Sequence, residues 1–312
     1  MNRKSLEITT GAMSTAIFGA LMLLNRQTGS LFEGFFVFLY PIPLAAYSAM
    51  YGIRSGLPAL AAMSLLSFLF GDFTSIFYAV AQALIGLVFG GCLYHKVDMT
   101  KTLFAVMLMS AVENLLDIVV LGFLYGVDLN QQTAEMRDVL NTAFEQVGQA
   151  VPSGMFSDNY IKQLIIVSMI VAGILQGFLV YEISLQILRR LRFPVQKPKS
   201  VYLYMPPKMS GYIAALAYFF YNLRMVQPLD NELLQNVALT VGMLGYMYLI
   251  CFGIIGLTLI LGIYFPRLRV LRVVIALLGM FVVPMAEMVL GFFYISTSYH
   301  ERLLEAREQR TS

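Results

Sequence analysis

Apolar stretches of about 20 residues follow one another along almost the whole chain, which is the length a helix needs to cross the hydrocarbon core of a bilayer. They lie at roughly 8–24, 32–51, 56–70, 74–94, 102–126, 161–188, 209–226, 233–264 and 272–296. The chain is 59% hydrophobic and 12% charged, and its mean hydropathy is +0.74. A soluble domain carries about twice that charged fraction. Dyad alternation over short segments, the mark of a membrane β-barrel, is absent. The expected class is an all-α, polytopic transmembrane bundle of about nine spans, a multi-pass protein of the cell membrane with the lipid bilayer as its first partner. Expected divisions are a six-helix domain at 1–190, a basic linker at 191–208, a three-helix domain at 209–296 and a polar tail at 297–312.

Basic residues orient the spans, because they gather on the cytoplasmic side. With the N-terminus inside, fourteen Lys and Arg side chains fall in the cytoplasm and four outside. Nine spans leave the tail outside. A re-entrant or half-crossing segment near Pro284 returns it to the inside. Trp is absent, so tyrosines near span ends (Tyr40, Tyr47, Tyr51, Tyr94 and Tyr125) are the expected interfacial anchors. Cys92 and Cys251 lie in apolar runs and read as free thiols. The net charge of +3 comes mostly from loops and gives no sign of a nucleic-acid partner.

Polar residues inside spans are costly and usually face a partner, a cavity or a ligand. Glu113, Asn114 and Asp117 lie within the run from Leu103 to Tyr125. Glu113 and Asp117 are four residues apart and share one helix face. Gln82 lies roughly 12 Å deep in the fourth span, counting 1.5 Å per residue. Asp72 closes the third span beside Gly71. A single outer-half cavity shared by Gln82, Asn114 and Asp117, with Asp72 near its mouth, is the expected site. The alternative is that the two carboxylates hydrogen-bond neighbouring helices and hold the bundle together. Glu287 stands in the ninth run near Pro284, where an intramembrane acid beside a proline marks a possible carrier site.

Three other segments carry two readings each. Small side chains at Gly11, Ala12, Thr15, Ala16, Gly19 and Ala20 form a stripe along the first helix, either for packing within the bundle or for docking another subunit. Pro41 and Pro43 are expected to kink the second span and free backbone carbonyls. The stretch Asp128 to Gly148 is an ordinary outer surface loop or an amphipathic helix capping the pocket, since Leu129, Met136, Leu140, Phe144 and Val147 recur at near-helical spacing.

The chain has no P-loop. Its histidines, His95 and His300, fall outside the spans, which removes H-E-x-x-H zinc chemistry. No catalytic constellation, metal-ligand set or cofactor motif is visible, so the chain reads as a non-enzyme.

The first 190 residues resemble an S component of an energy-coupling factor (ECF) transporter. The resemblance rests on the small residues Ala12, Ala16 and Ala20, the Pro-containing second helix, the Gly52…Gly56 turn, Gly71-Asp72, and Gly86, Gly90 and Gly91 late in the fourth span. The full length is similar to the YybS-like family of bacterial membrane proteins. The resemblance implies a small solute bound from outside, a coupling subunit and two ATPases as partners, and Ala12, Ala16 and Ala20 as the face toward that subunit. The three extra spans depart from the S-component plan. The expected function is small-solute binding or transport through Asp72, Gln82, Glu113, Asn114 and Asp117. The alternative is a membrane scaffold or regulator acting through protein partners.

Overall fold

A computed structural model describes residues 3–126, 129–146, 158–193, 195, 201–203, 205–227, 229–268 and 271–311. Among them no strand occurs. In hydrocarbon a backbone N–H or C=O has no water to bind, so the chain satisfies them within helices. The chain divides into two compact units, Met1–Pro198 and Lys199–Ser312.

The first unit contains α1 (Arg3–Gln27), α2 (Glu33–Phe36), α3 (Pro41–Tyr51), α4 (Ile53–Phe70), α5 (Phe73–Tyr94), α6 (Met99–Tyr125), α7 (Leu129–Gln146) and α8 (Asp158–Arg190). Helix α5 is the centre, packed by α3, α4 and α6, while α1 leans on α3 and α4 and α8 lies along α6. The core between α1, α3, α4 and α5 buries Phe18, Met22, Tyr40, Leu44, Met63 and Leu87. Outward side chains such as Ile8, Met13, Leu65, Phe68, Leu108 and Phe123 are exposed and apolar, as a lipid-facing surface requires.

Glycines set the tightest approach. A Cβ on Gly86 would lie 2.2 Å from the carbonyl oxygen of Pro41, and one on Gly90 would lie 2.3 Å from that of Ala45. Without side chains there, α5 and α3 pack backbone to backbone. At the α3–α4 turn Gly52 has φ of +83°, which favours glycine.

Several expectations are corrected. Pro41 and Pro43 do not kink a continuous helix: the chain turns through residues 37–40, and Pro41 begins α3, where a missing N–H costs nothing. Tyr40 and Tyr47 are buried core residues and not interfacial anchors, whereas Tyr94 is exposed. Residues 129–146 form a helix and not a loop; Asp128, Val147 and Gly148 lie outside the described residues. Arg137 of α7 is ion-paired with Asp158 at the start of α8.

The second unit contains α9 (Lys208–Val226), α10 (Glu232–Tyr264), α11 (Arg272–Val282), α12 (Pro284–Ser296) and α13 (Tyr299–Thr311). Helix α10 packs on all four others. Among the described residues seven helical segments, with α2 and α3 taken together as Glu33–Tyr51, are long and apolar enough to cross a membrane, or eight if α11 and α12 count as one broken span. The expected nine included α9, whose Tyr212, Tyr218, Tyr221, Asn222 and Arg224 make it less apolar. The last expected span is instead two helices bent by 116°.

That bend sends the tail back. Leu303 of α13 packs with Leu259 and Ile263 near the end of α10. Lys208 Nζ lies 3.5 Å from a Glu301 carboxylate oxygen, and the Arg307 guanidinium sits 5.2 Å from the Tyr202 ring centroid. The tail is therefore a packed helix at the same end of its unit as Tyr202 and Lys208, as the expected break near Pro284 implies.

Two outcomes check this architecture. Gly86→Val lowers the thermal unfolding midpoint in detergent, while Gly34→Ala leaves it unchanged, because a Cβ there meets nothing within 4 Å. In a cysteine-free background, Leu203→Cys and Glu305→Cys react with a membrane-impermeant thiol reagent from the same side.

Candidate functional site

Asp72, Ser75, Tyr78 and Gln82 recur at spacings of three, three and four on α5, so they form one stripe along its face. The stripe descends about 15 Å from the helix start, at 1.5 Å per residue. At its top, Asp72 caps α5 by accepting from the Ser75 N–H at 2.8 Å. Each lower rung meets an acid. Ser75 Oγ donates to Glu33 Oε1 at 2.5 Å. Tyr78 OH donates to Asp117 Oδ2 at 2.6 Å. Gln82 Nε2 donates to Glu113 Oε2 at 2.5 Å.

Antiparallel packing produces this register. Four residues inward on α5, from Tyr78 to Gln82, correspond to four residues back on α6, from Asp117 to Glu113, so both acids of one α6 face meet one α5 stripe. Helix α8 closes the other side. Gly173 and Gly177 lie so close to α6 that a Cβ on either would be 2.6 Å from the Cα of Ala111 or Met107. Gln176, between them, donates to Glu113 Oε2 at 3.0 Å and accepts from Asn114 Nδ2 at 3.1 Å. Asn114 Nδ2 also donates to the Ser110 carbonyl at 3.0 Å.

Glu113 is 3% exposed and Gln82 fully buried. Asp117 and Asn114 are half-buried. Glu113 Oε1, Asp117 Oδ1 and Gln82 Oε1 accept no hydrogen bond. The rung at Glu113 is thus a knot of three helices with acceptor capacity left over.

The cavity lies above it. A space of about 480 Å³ is lined by Asn25, Arg26, Ser30, Asp72 and Ser75, with Met22, Leu69, Phe70 and glycines completing the wall. Of the five expected site residues, Asp72 alone lines it; Gln82, Glu113 and Asn114 are joined in the knot of α5, α6 and α8, and Asp117 is bonded to Tyr78. Helix α7 contributes no lining residue and does not cap this cavity. Asn25 is 2% exposed, and its Oδ1 has no hydrogen-bond donor. No cluster of three or more His, Cys, Asp or Glu suited to a metal ion occurs among the described residues.

The small-residue stripe of α1 divides in two. Gly11 and Gly19 are buried, against Tyr47 and Leu66. Ala12, Ala16 and Ala20 are exposed on the opposite side, beside Met13 and Ile17.

Residues 16–293 match the model of a family described as predicted membrane protein (DUF2232). The chain belongs to that family. Curated proteins and solved structures gave no match. Family membership and the apolar helices agree on an integral, multi-pass membrane protein in contact with the bilayer.

Glu33, Tyr78, Asn25 and Gln176 were not among the residues singled out from sequence. The α5 spacing was a usable signal for Tyr78, and Gln176 stands as an uncharged amide between two glycines of an apolar run. Replacing Gln176 with Leu removes a donor from Glu113 and an acceptor from Asn114. The expected loss is about 1 kcal/mol, the scale of a hydrogen bond between membrane helices, read by reversible unfolding in mixed detergent micelles. Gln163→Leu, on the same helix, is the comparison.

Proposed function

We propose that this protein is a non-catalytic membrane component that binds a small polar solute in the cavity between α1, α4 and α5. The observation that carries the reading is a cavity whose wall includes the buried Asn25, its Oδ1 without a donor, together with Arg26 and Asp72. The wall of this recess is predominantly polar, and converging donors and acceptors fix a ligand's orientation. A solute with both donor and acceptor groups suits that set. By the basic-residue count, the cavity opens on the outer side. Beneath it, Glu33, Asp117 and Glu113 form acidic rungs through which release toward the interior is coupled to an ion gradient or to movement driven by a partner.

The likeness of the first unit to ECF S components, and of the whole to YybS-like proteins, supports the same assignment at a finer level. On that reading a coupling subunit docks on Ala12, Ala16 and Ala20, and two ATPases supply the energy. The exposure of these three alanines while Gly11 and Gly19 pack inward fits such a face. Helices α9 to α13 have no counterpart in the S-component plan.

Mass spectrometry of small molecules that co-purify with the gently solubilised protein tests the reading. A solute recovered with the wild type is expected to fall at least tenfold with Asn25→Leu or Asp72→Ala, and less with Asp117→Asn. Identical small-molecule contents in the wild type and both cavity variants, all folded, overturn the cavity assignment. Ala16→Leu is expected to abolish co-purification of ECF-type ATPases while leaving solute content unchanged.

A further inference from the structure

Glu287 poses the opposite situation to Glu113. It is 2% exposed, and neither of its carboxylate oxygens accepts a hydrogen bond. Glu113 receives two donors and is thereby explained as a helix–helix tie. Nothing comparable explains Glu287, and a bare buried carboxylate is strongly disfavoured.

Its position is specific. Val283 breaks the chain between α11 and α12, and Glu287 lies in the first turn of α12. Two glycines make room for it. A Cβ on Gly279 of α11 would lie 2.3 Å from Glu287 Oε1, and one on Gly253 of α10 would lie 2.1 Å from the Glu287 carbonyl oxygen. The carboxyl is pressed into a slot between helices that any larger residue would fill. Pro284 brings no N–H, so the carbonyl of Met280, four residues earlier, lacks its helical donor. Freed carbonyls at the end of a half-helix, together with a carboxylate, make the oxygen environment in which membrane proteins hold small cations.

We propose that Glu287 binds a small monovalent cation, a proton or a sodium ion, inside the α11–α12 bend. The cation neutralises the carboxylate in its slot. When the cation leaves, the partial positive charge at the start of α12 favours the bare carboxylate. The facing groups do not supply a competing counter-charge. From α10 the nearby ionisable group is the phenol of Tyr246, itself stacked on Tyr218 of α9. From α11 the facing residue is Gly279, and the Arg272 side chain of that helix lies against Gly262 instead. Along α12 no other charged residue occurs. The tip of the bend (Phe281, Val282, Val283 and Met285) is exposed and apolar. The site lies wholly within the second unit and stands or falls independently of the outer cavity.

Dicyclohexylcarbodiimide tests it, because this reagent adds to protonated carboxyls in apolar surroundings. The full chain in lipid nanodiscs is treated across a pH series and mapped by peptide mass spectrometry. Modification of Glu287 is expected, declining severalfold as pH rises. Suppression at fixed pH by sodium chloride, but not by choline chloride, assigns sodium. PH dependence without a sodium effect assigns the proton. Gly279→Ala, which displaces the carboxyl, is expected to cut the labelling severalfold, and Glu287→Gln to abolish it at that peptide. Folded wild-type protein with Glu287 unmodified at every pH, or modified equally at every pH and salt composition, overturns the proposal.

Discussion

A carboxylate cannot lie in hydrocarbon without something to neutralise or solvate it, and the first unit is arranged around that constraint. Glu33, Asp117 and Glu113 each meet one donor on the α5 stripe. The stripe exists because Ser75, Tyr78 and Gln82 share a helix face. It finds its acids because α6 runs antiparallel in a register that advances both helices by four residues together. A different register would deprive both α6 acids of their α5 donors. Polar pairing thus specifies which α5–α6 alignment is allowed, while apolar packing, tolerant of many alignments, supplies the bulk of the contact.

Close approach by glycine makes the third side of the knot possible. Gln176 reaches both Glu113 and Asn114 because Gly173 and Gly177, one on each side of it, let α8 settle against the α6 backbone. The gain from hydrogen bonding and the gain from dense packing come from one short segment, so a substitution at either glycine disturbs both. The same device recurs between α3 and α5 at Gly86 and Gly90, where there is no polar partner. Tight packing is therefore general to this bundle, and the polar contact is an addition to it at one place.

The spans were legible because length and apolarity alone dictate them, and the acids of α6 were legible because charge in an apolar run is conspicuous. What escaped depends on context that a one-dimensional pattern does not hold. Pro41 kinks a helix or begins one according to where the preceding turn falls. Residues 129–146 carry a periodicity weak enough to fit either a loop or a helix, and the Arg137–Asp158 ion pair that ties the helix to α8 joins distant positions. Gln176 matters through Asn114 and Glu113, partners 62 and 63 residues away in sequence. The cavity at Asn25 and Asp72 is walled by the ends of α1 and α4 and the start of α5, a meeting that no local pattern announces. The return of the tail was visible only as a consequence of a break near Pro284, and the 116° bend supplies that break.

Two buried glutamates in one chain show why burial by itself says little about role. Glu113 sits where three helices converge, and its surroundings offer amide donors at 2.5 and 3.0 Å. Those donors give it a structural task, and the surplus acceptor on Oε1 is what remains for a proton or a water. Glu287 sits where a helix is interrupted, and space around it was cleared by glycines without any donor being provided. Selection for bundle stability alone would fill such a slot with an apolar side chain, since a packed methyl costs less than an unpaired carboxyl. An unpaired buried acid, a cleared slot and a broken helix at one point are together the features from which the cation site is inferred.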